Sequence, residues 1–256
     1  MQSGDSRLHA LFLLFETNMR EHVFRFKQFS VKNEISAMKV GTDGVLVGAW
    51  CDVSNVENVL DVGTGTGLIA LMIAQRNEKA AIDALDIDAT ACVEATYNVN
   101  NSPWKNRIKV INDDYVNYAK KCGKKYDLIV SNPPFFNNGV LPPNQERSMA
   151  RHCINLSFEE LISNAMQLMS ENGRLCFISP SDIETSISGI LSNVNLHLNK
   201  KTLVFPKPGS MAKRILWEIG ARSVGLKESS LTIEKDSHHE YSADYVNLTK
   251  DFYLKM

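Results

Sequence analysis

Between Val59 and Val130 the chain makes four short apolar, β-branched runs with no helical period, and each reads as a buried strand. The runs are Val59 to Asp61, Ile82 to Leu85, Ile108 to Ile111 and Tyr126 to Val130. Helical stretches, Leu68 to Ala74 and Ala89 to Asn100, separate the first three. Strands alternating with helices at this spacing build a parallel sheet covered on both faces, and such sheets bind ligands beyond the C-terminal ends of their strands. The first three runs lead into acids, Asp61, Asp86 and the pair Asp113-Asp114, and the fourth into Ser131-Asn132-Pro133-Pro134-Phe135. A single Asp after a strand is commonplace, but turn chemistry alone does not explain the ordered set of four.

After the first run comes Val62-Gly63-Thr64-Gly65-Thr66-Gly67. The spacing is GxGxG behind an acid, not GxGxxG. Glycines between a strand and a helix let the backbone approach a ligand closely, although tight strand–helix packing needs them too. Asp61 faces that ligand, and a carboxylate there suits a cationic donor better than a pyrophosphate. Asp86 lies 19 residues beyond Gly67, the place of the acid that binds both ribose hydroxyls in doubly wound nucleoside sites. Thr64 and Ile87 join the same candidate surface, and Asp88 is expected to cap the next helix. Of the third pair, Asp114 is favoured as the acceptor for the adenine amine of a cofactor, with Asp113 as a helix cap. Upstream, Ala37 to Gly44 forms a polar turn before an apolar helix ending at Trp50, which Thr42 or Asp43 would cap. Lys39 and Thr42 are placed to fold over a bound cofactor.

Asn132-Pro133-Pro134-Phe135 suits methylation of an exocyclic amine. The N6 of adenine is a poor nucleophile because its lone pair is delocalised into the ring. The Asn132 side-chain oxygen and the Pro133 carbonyl can each accept one N6 hydrogen, which pulls the nitrogen towards a tetrahedral shape. Neither proline has an N–H to donate, Pro134 stiffens the turn, and Phe135 can stack on the base. Asn132 also borders the donor. An ordinary Pro-Pro turn is the competing reading, and only the upstream glycine turn lifts the motif above it.

Hydrophobic residues at 44% and charged residues at 22% are ordinary for a globular domain, so a sizeable core is available. The net charge of −1 announces no polyanion partner, so any such partner must be read from local charge. Residues 20–32 interleave aromatics with cations, among them Arg25, Lys27 and Lys32, as a nucleic-acid arm would; an edge strand with alternating faces explains the pattern equally well. Lys213 and Arg214 belong to an acid-free basic stretch before Trp217, and Arg147 and Arg151 sit in a long polar loop, 136–152. Five scattered cysteines without CxxC indicate neither a zinc site nor a disulfide framework. No apolar run reaches a membrane span. A metal-free, cytoplasmic monomer is expected. Met19 offers a second start codon, so residues 1–19 are read as an N-terminal extension, and 20–256 as one domain whose arm, 20–44, contacts RNA.

These stretches together resemble the bacterial tRNA1(Val) adenine-37 N6-methyltransferases, class I S-adenosylmethionine-dependent enzymes. The resemblance rests on FRFKQF (24–29), AMKVGTDG (37–44), LDVGTGTGLIALMIAQR (60–76), SPW (102–104), YDLIVSNPPFF (126–136) and FYLKM (252–256). It implies a doubly wound, Rossmann-like α/β fold: a seven-stranded, mostly parallel sheet with a reversed C-terminal β-hairpin. It implies S-adenosylmethionine held by Asp61, Gly63, Gly65, Gly67, Asp86 and Asp114, and a tRNA adenine held by Asn132, Pro133 and Phe135. The family's aromatic after Pro-Pro is often Tyr; Phe135 keeps the stacking and loses the hydroxyl. A protein-glutamine methyltransferase and a non-catalytic RNA binder on the same fold are the rival readings.

Overall fold

The structure is a computed structural model that describes residues 22–36, 39–134, 156–237 and 240–256. The proposed extension 1–19, Phe135, Arg147 and Arg151 lie outside them. Ten strands and seven helices are described: β1 Val23–Arg25, β2 Ser30–Lys32, α1 Thr42–Trp50, β3 Asn58–Val62, α2 Leu68–Arg76, β4 Ala81–Asp86, α3 Ala89–Asn100, β5 Ile108–Asn112, α4 Tyr115–Lys121, β6 Tyr126–Ser131, α5 Phe158–Leu168, β7 Met169–Pro180, α6 Glu184–Ser192, β8 His197–Phe205, β9 Arg214–Gly220, β10 Lys227–Thr232 and α7 Ala243–Thr249.

Eight strands form one sheet in the order β10-β8-β9-β7-β6-β3-β4-β5. Strands β7, β6, β3, β4 and β5 run parallel, and β9 runs against both of its neighbours, β7 and β8. This is the expected mostly parallel sheet with its reversed hairpin. An eighth strand, β10, adds in parallel to the outer edge of β8. Strand parity explains the apolar runs. On β7, Cys176 and Ile178 enter the core under α1, α2, α3 and α7, whereas Leu175 and Phe177 enter the core under α4, α5 and α6. Both faces are buried, so the central strands read as continuous rather than alternating hydrophobics.

Local signals mark several helix starts. Asp88 caps α3 by accepting from Thr90 N, and Ser157 with Glu160 forms a capping box on α5. Three expectations are corrected. Helix α1 is capped by Gly41 without a side-chain bond, so Thr42 and Asp43 lie in its first turn. The tail sequence from Ser242 to Tyr253 reads as helical, and its helix ends at Thr249. Asp114, not Asp113, caps α4, and its Oδ1 accepts from Asn117 N at 2.8 Å.

Where it is described, the arm 20–32 buries Phe26, Phe29, Val31 and Lys32 and leaves Phe24, Arg25, Lys27 and Ser30 exposed. β1 and β2 form a hairpin whose Phe26 and Phe29 stack with ring centroids 4.6 Å apart, and both are buried. Lys27 Nζ donates to the carbonyls of Lys250, at 2.5 Å, and Met256, at 2.9 Å, tying the hairpin to the C-terminal segment. Lys32 is buried beside Glu34, with its ammonium over the Tyr97 ring. Phe26, Phe29 and these two lysines answer to packing; of the three arm cations named above, Arg25 stays exposed without such a contact among the described residues.

Candidate active site

Asp61, near the end of β3, is wholly buried, and its Oδ2 accepts from Thr64 Oγ1 at 2.6 Å and from Ala70 N at 3.1 Å. Ala70 is in the first turn of α2, whose cap residue Gly67 has no side chain to offer, so Asp61 supplies a cap from the neighbouring strand. The turn between them takes Gly63, Gly65 and Gly67 through φ of 69°, 55° and 82°, the left-handed region in which a side chain is strained. Gly63 N and Thr64 N both donate to Leu85 O, at 2.9 and 3.0 Å, and Gly65 N donates to Asp86 Oδ2 at 2.8 Å. The turn is thereby pinned to the end of β4, and the exposed side chain of Ile87 follows it.

Burial pushes the Asp61 carboxyl up to about 7, and the charge of Asp86 adds to the rise despite the two donors. Burial also raises Asp86, against the bonds it accepts from Asp88 N and Gly65 N. Two acids destabilised as anions make a site that favours a cation. Asp61 Oδ1 is buried and finds no partner among the described residues.

One strand over, Ser131 Oγ donates to Val62 O at 2.8 Å and locks the end of β6 to β3. Asn132 follows, half-buried, then Pro133, buried, and Pro134, half-buried. Asn132 Oδ1 is a second buried oxygen without a partner among the described residues. Its amide lies under the first turn of α1: a Cβ placed on Gly44 would come within 3.8 Å of Asn132 Nδ2 and 3.3 Å of Leu68 Cδ2. Gly44 is needed there to bring α1, α2 and the Asn-Pro-Pro end together.

The segment before α1 is tethered by two residues that sequence reading did not single out. Glu94 of α3 is buried and accepts from three consecutive backbone amides: Glu34 N at 2.5 Å, Ile35 N at 3.0 Å and Ser36 N at 2.8 Å. Asn98, one turn on, accepts from Lys32 N and donates to Lys32 O and Thr66 O, so it joins this segment to the glycine turn. Lys39 Nζ closes the segment onto itself through the carbonyls of Asn33 and Glu34, each at 3.0 Å. Thr42 is exposed at the start of α1, and Asp113 pairs with Lys121 at 2.5 Å. The four strand ends therefore do converge on one edge.

Residues 44–203 match the methyltransferase small domain family. A tRNA1(Val) (adenine(37)-N6)-methyltransferase of Bacteroides fragilis is 45% identical over 93% of this chain and all of that one. The relative of that name from Trichodesmium erythraeum is 45% identical over 91% of this chain and 98% of its own, and that from Haemophilus influenzae 40% over the same shares. The chain belongs to the tRNA1(Val) (adenine(37)-N6)-methyltransferase family. Among solved structures, a predicted O-methyltransferase from Agrobacterium tumefaciens superposes with a TM-score of 0.64 at 20% identity, covering 82% of this chain and 96% of that one. That likeness speaks for the fold alone.

The methyl donor of this family is S-adenosylmethionine, a cation, and the residues present fit it. Asp61 offers a buried oxygen, without a partner among the described residues, beside a glycine turn, and Asp86 an acid at the next strand end.

Proposed function

We propose that this enzyme transfers a methyl group from S-adenosylmethionine to the exocyclic N6 of adenine 37 in tRNA1(Val). The observation that carries the reading is the buried Oδ1 of Asn132, without a partner among the described residues and placed just beyond the strand beside Asp61. A buried acceptor without a donor costs on the order of 1–3 kcal/mol, and an adenine amine would relieve that cost. Asp61, Gly63, Thr64, Gly65, Gly67, Asp86, Ile87 and Asp114 would hold the donor, with Lys39 and Thr42 over it. When bound, the donor supplies a methyl group on a positively charged sulfur.

The chain's own part is positioning and electrostatics. The Asn132 oxygen and the Pro133 carbonyl accept the two N6 hydrogens and turn the nitrogen lone pair towards the donor. Phe135, outside the described residues, would stack on the base. The methylated amine becomes acidic and sheds its proton without a strong base. The reading calls for no metal and no covalent intermediate. It places the enzyme in the bacterial cytoplasm, where tRNA is found, as one catalytic domain over 20–256 that acts as a monomer.

The test is transfer from labelled S-adenosylmethionine to total tRNA of a strain lacking the activity, with nucleoside analysis. N6-methyladenosine in a valine tRNA is expected. Cofactor binding without transfer to tRNA, or label in protein glutamine, would overturn the reading.

A further inference from the structure

The C-terminal edge of the sheet is electrically lopsided. On the β4–β5 side the strand ends carry Asp86, Asp88, Asp113 and Asp114. On the β8–β9 side a groove of about 980 Å³ opens between the β1–β2 hairpin, the turn before α1, the adjoining ends of β8 and β9 and the C-terminal segment. Its rim carries Arg25, Lys213 and Lys255, all exposed. Among the described residues no acid lies within ion-pair distance of these three. The groove's own acids are matched: Asp43 bonds Arg214 Nε at 2.8 Å, and Glu234 lies 4.0 Å from Lys207. Phe24, 38% exposed, tilted against Phe26 and edge-on to Tyr253, presents an aromatic ring to the same space.

The groove adjoins the catalytic strand end. Asp43, which fixes the Arg214 wall, is the residue before Gly44, which packs on Asn132. A nucleic-acid strand that delivers an adenine to Asn132 must leave along one flank of this edge. One flank presents Asp86, Asp88 and Asp114 beside the Asp113–Lys121 pair, the other three cations with no acid in ion-pair distance among the described residues, beside an aromatic ring. Cations track phosphates and rings accept stacked bases.

We infer that this groove holds the tRNA strand flanking the target adenine, with phosphates on Arg25, Lys213 and Lys255 and a base against Phe24. The inference rests on the proposed tRNA substrate and adds the surface that seats it.

The test is binding of a valine tRNA transcript to the full chain across a salt series, comparing R25A/K213A/K255A with a control triple, K79A/K105A/K120A. The control removes the same charge from exposed positions that follow α2 and α3 and lie in the last turn of α4, at the opposite edge of the sheet. The groove triple is expected to lower affinity at least tenfold, to reduce the salt slope by about 2, as the loss of three single-strand phosphate contacts requires, and to keep its S-adenosylmethionine affinity. The control should shift affinity by less than threefold. K213A alone, in an exposed turn, should give about a third of the slope change and covers the case in which the triple variant is unfolded. Equal losses in both triples, or wild-type slope in the groove triple and in K213A, would overturn the inference. If the wild type binds and methylates tRNA while the groove variants bind normally, the surface is wrong and the activity stands; if the wild type neither binds nor methylates tRNA, both fall.

Discussion

Asp61 makes cofactor affinity depend on pH in a calculable way. Its carboxyl is held near 7 by burial, and the cationic donor favours the ionised form. Only the ionised fraction is ready to bind: about 3% at pH 5.5 and about half at pH 7, from that pKa. The S-adenosylmethionine Kd should therefore tighten about fifteenfold over this range, with close to one proton released per binding event at pH 5.5 and about half at pH 7. The range stays below the usual titration of an α-amino group such as the donor's own. Titration calorimetry in two buffers of different ionisation enthalpy measures affinity and proton count together. Folding follows the opposite course. Because the folded pKa is raised, Asp61's contribution to stability is fully present below the ordinary value of 3.8 and is lost as pH rises towards 7. The loss is on the order of 4 kcal/mol from the size of that shift. Asp61→Asn should lose this component of both measurements, and the wild-type-minus-variant difference, which cancels the other carboxylates, isolates it. A wild-type Kd independent of pH, or an Asp61→Asn variant that tracks the wild type, would refute the argument.

Asn132→Ala should leave S-adenosylmethionine affinity near normal and cut turnover on tRNA by about 10²-fold or more, the loss typical of one transition-state contact; single-turnover kinetics with near-normal rates would remove Asn132 from the assigned role. Glu94→Gln replaces one carboxylate oxygen with a donor facing backbone N–H groups, an expected cost of about 1–3 kcal/mol, read as a lower Tm. Because the hydrogen bonds of the Glu94 side chain among the described residues go to the segment 34–36, KM for the donor should rise several-fold with kcat nearly unchanged, whereas a fall in kcat alone would contradict a positioning role.

The catalytic edge was legible because prolines and glycines act locally. Asn-Pro-Pro stops a strand wherever it occurs, and a glycine turn between a strand and a helix has few other uses, so the strand ends could be placed in order from composition alone. What escaped was decided by contacts distant in sequence. Glu94 and Asn98 sit one helical turn apart on α3, and polar residues at that spacing read as a solvated face; both are buried only because the hairpin segment, some sixty residues earlier, lays its amides over them. The FRFKQF stretch divides between two roles: Phe26, Phe29 and Lys27 are engaged by the fold, while Phe24 and Arg25 face the groove. Alternating aromatics and cations fit a base-stacking arm and an edge hairpin alike, and the carbonyls of Lys250 and Met256, which engage Lys27, lie at the far end of the chain. β10 has only Leu231 buried, so it offers no alternation to detect; it exists because β8 leaves an edge for it to pair with. The exchange between Asp113 and Asp114 is subtler. Two adjacent acids are equally good caps, and the choice turns on whether the helix starts one residue earlier or later. Packing of Tyr115 against the core under α4 settles that start, and so leaves Asp113 to its partner Lys121.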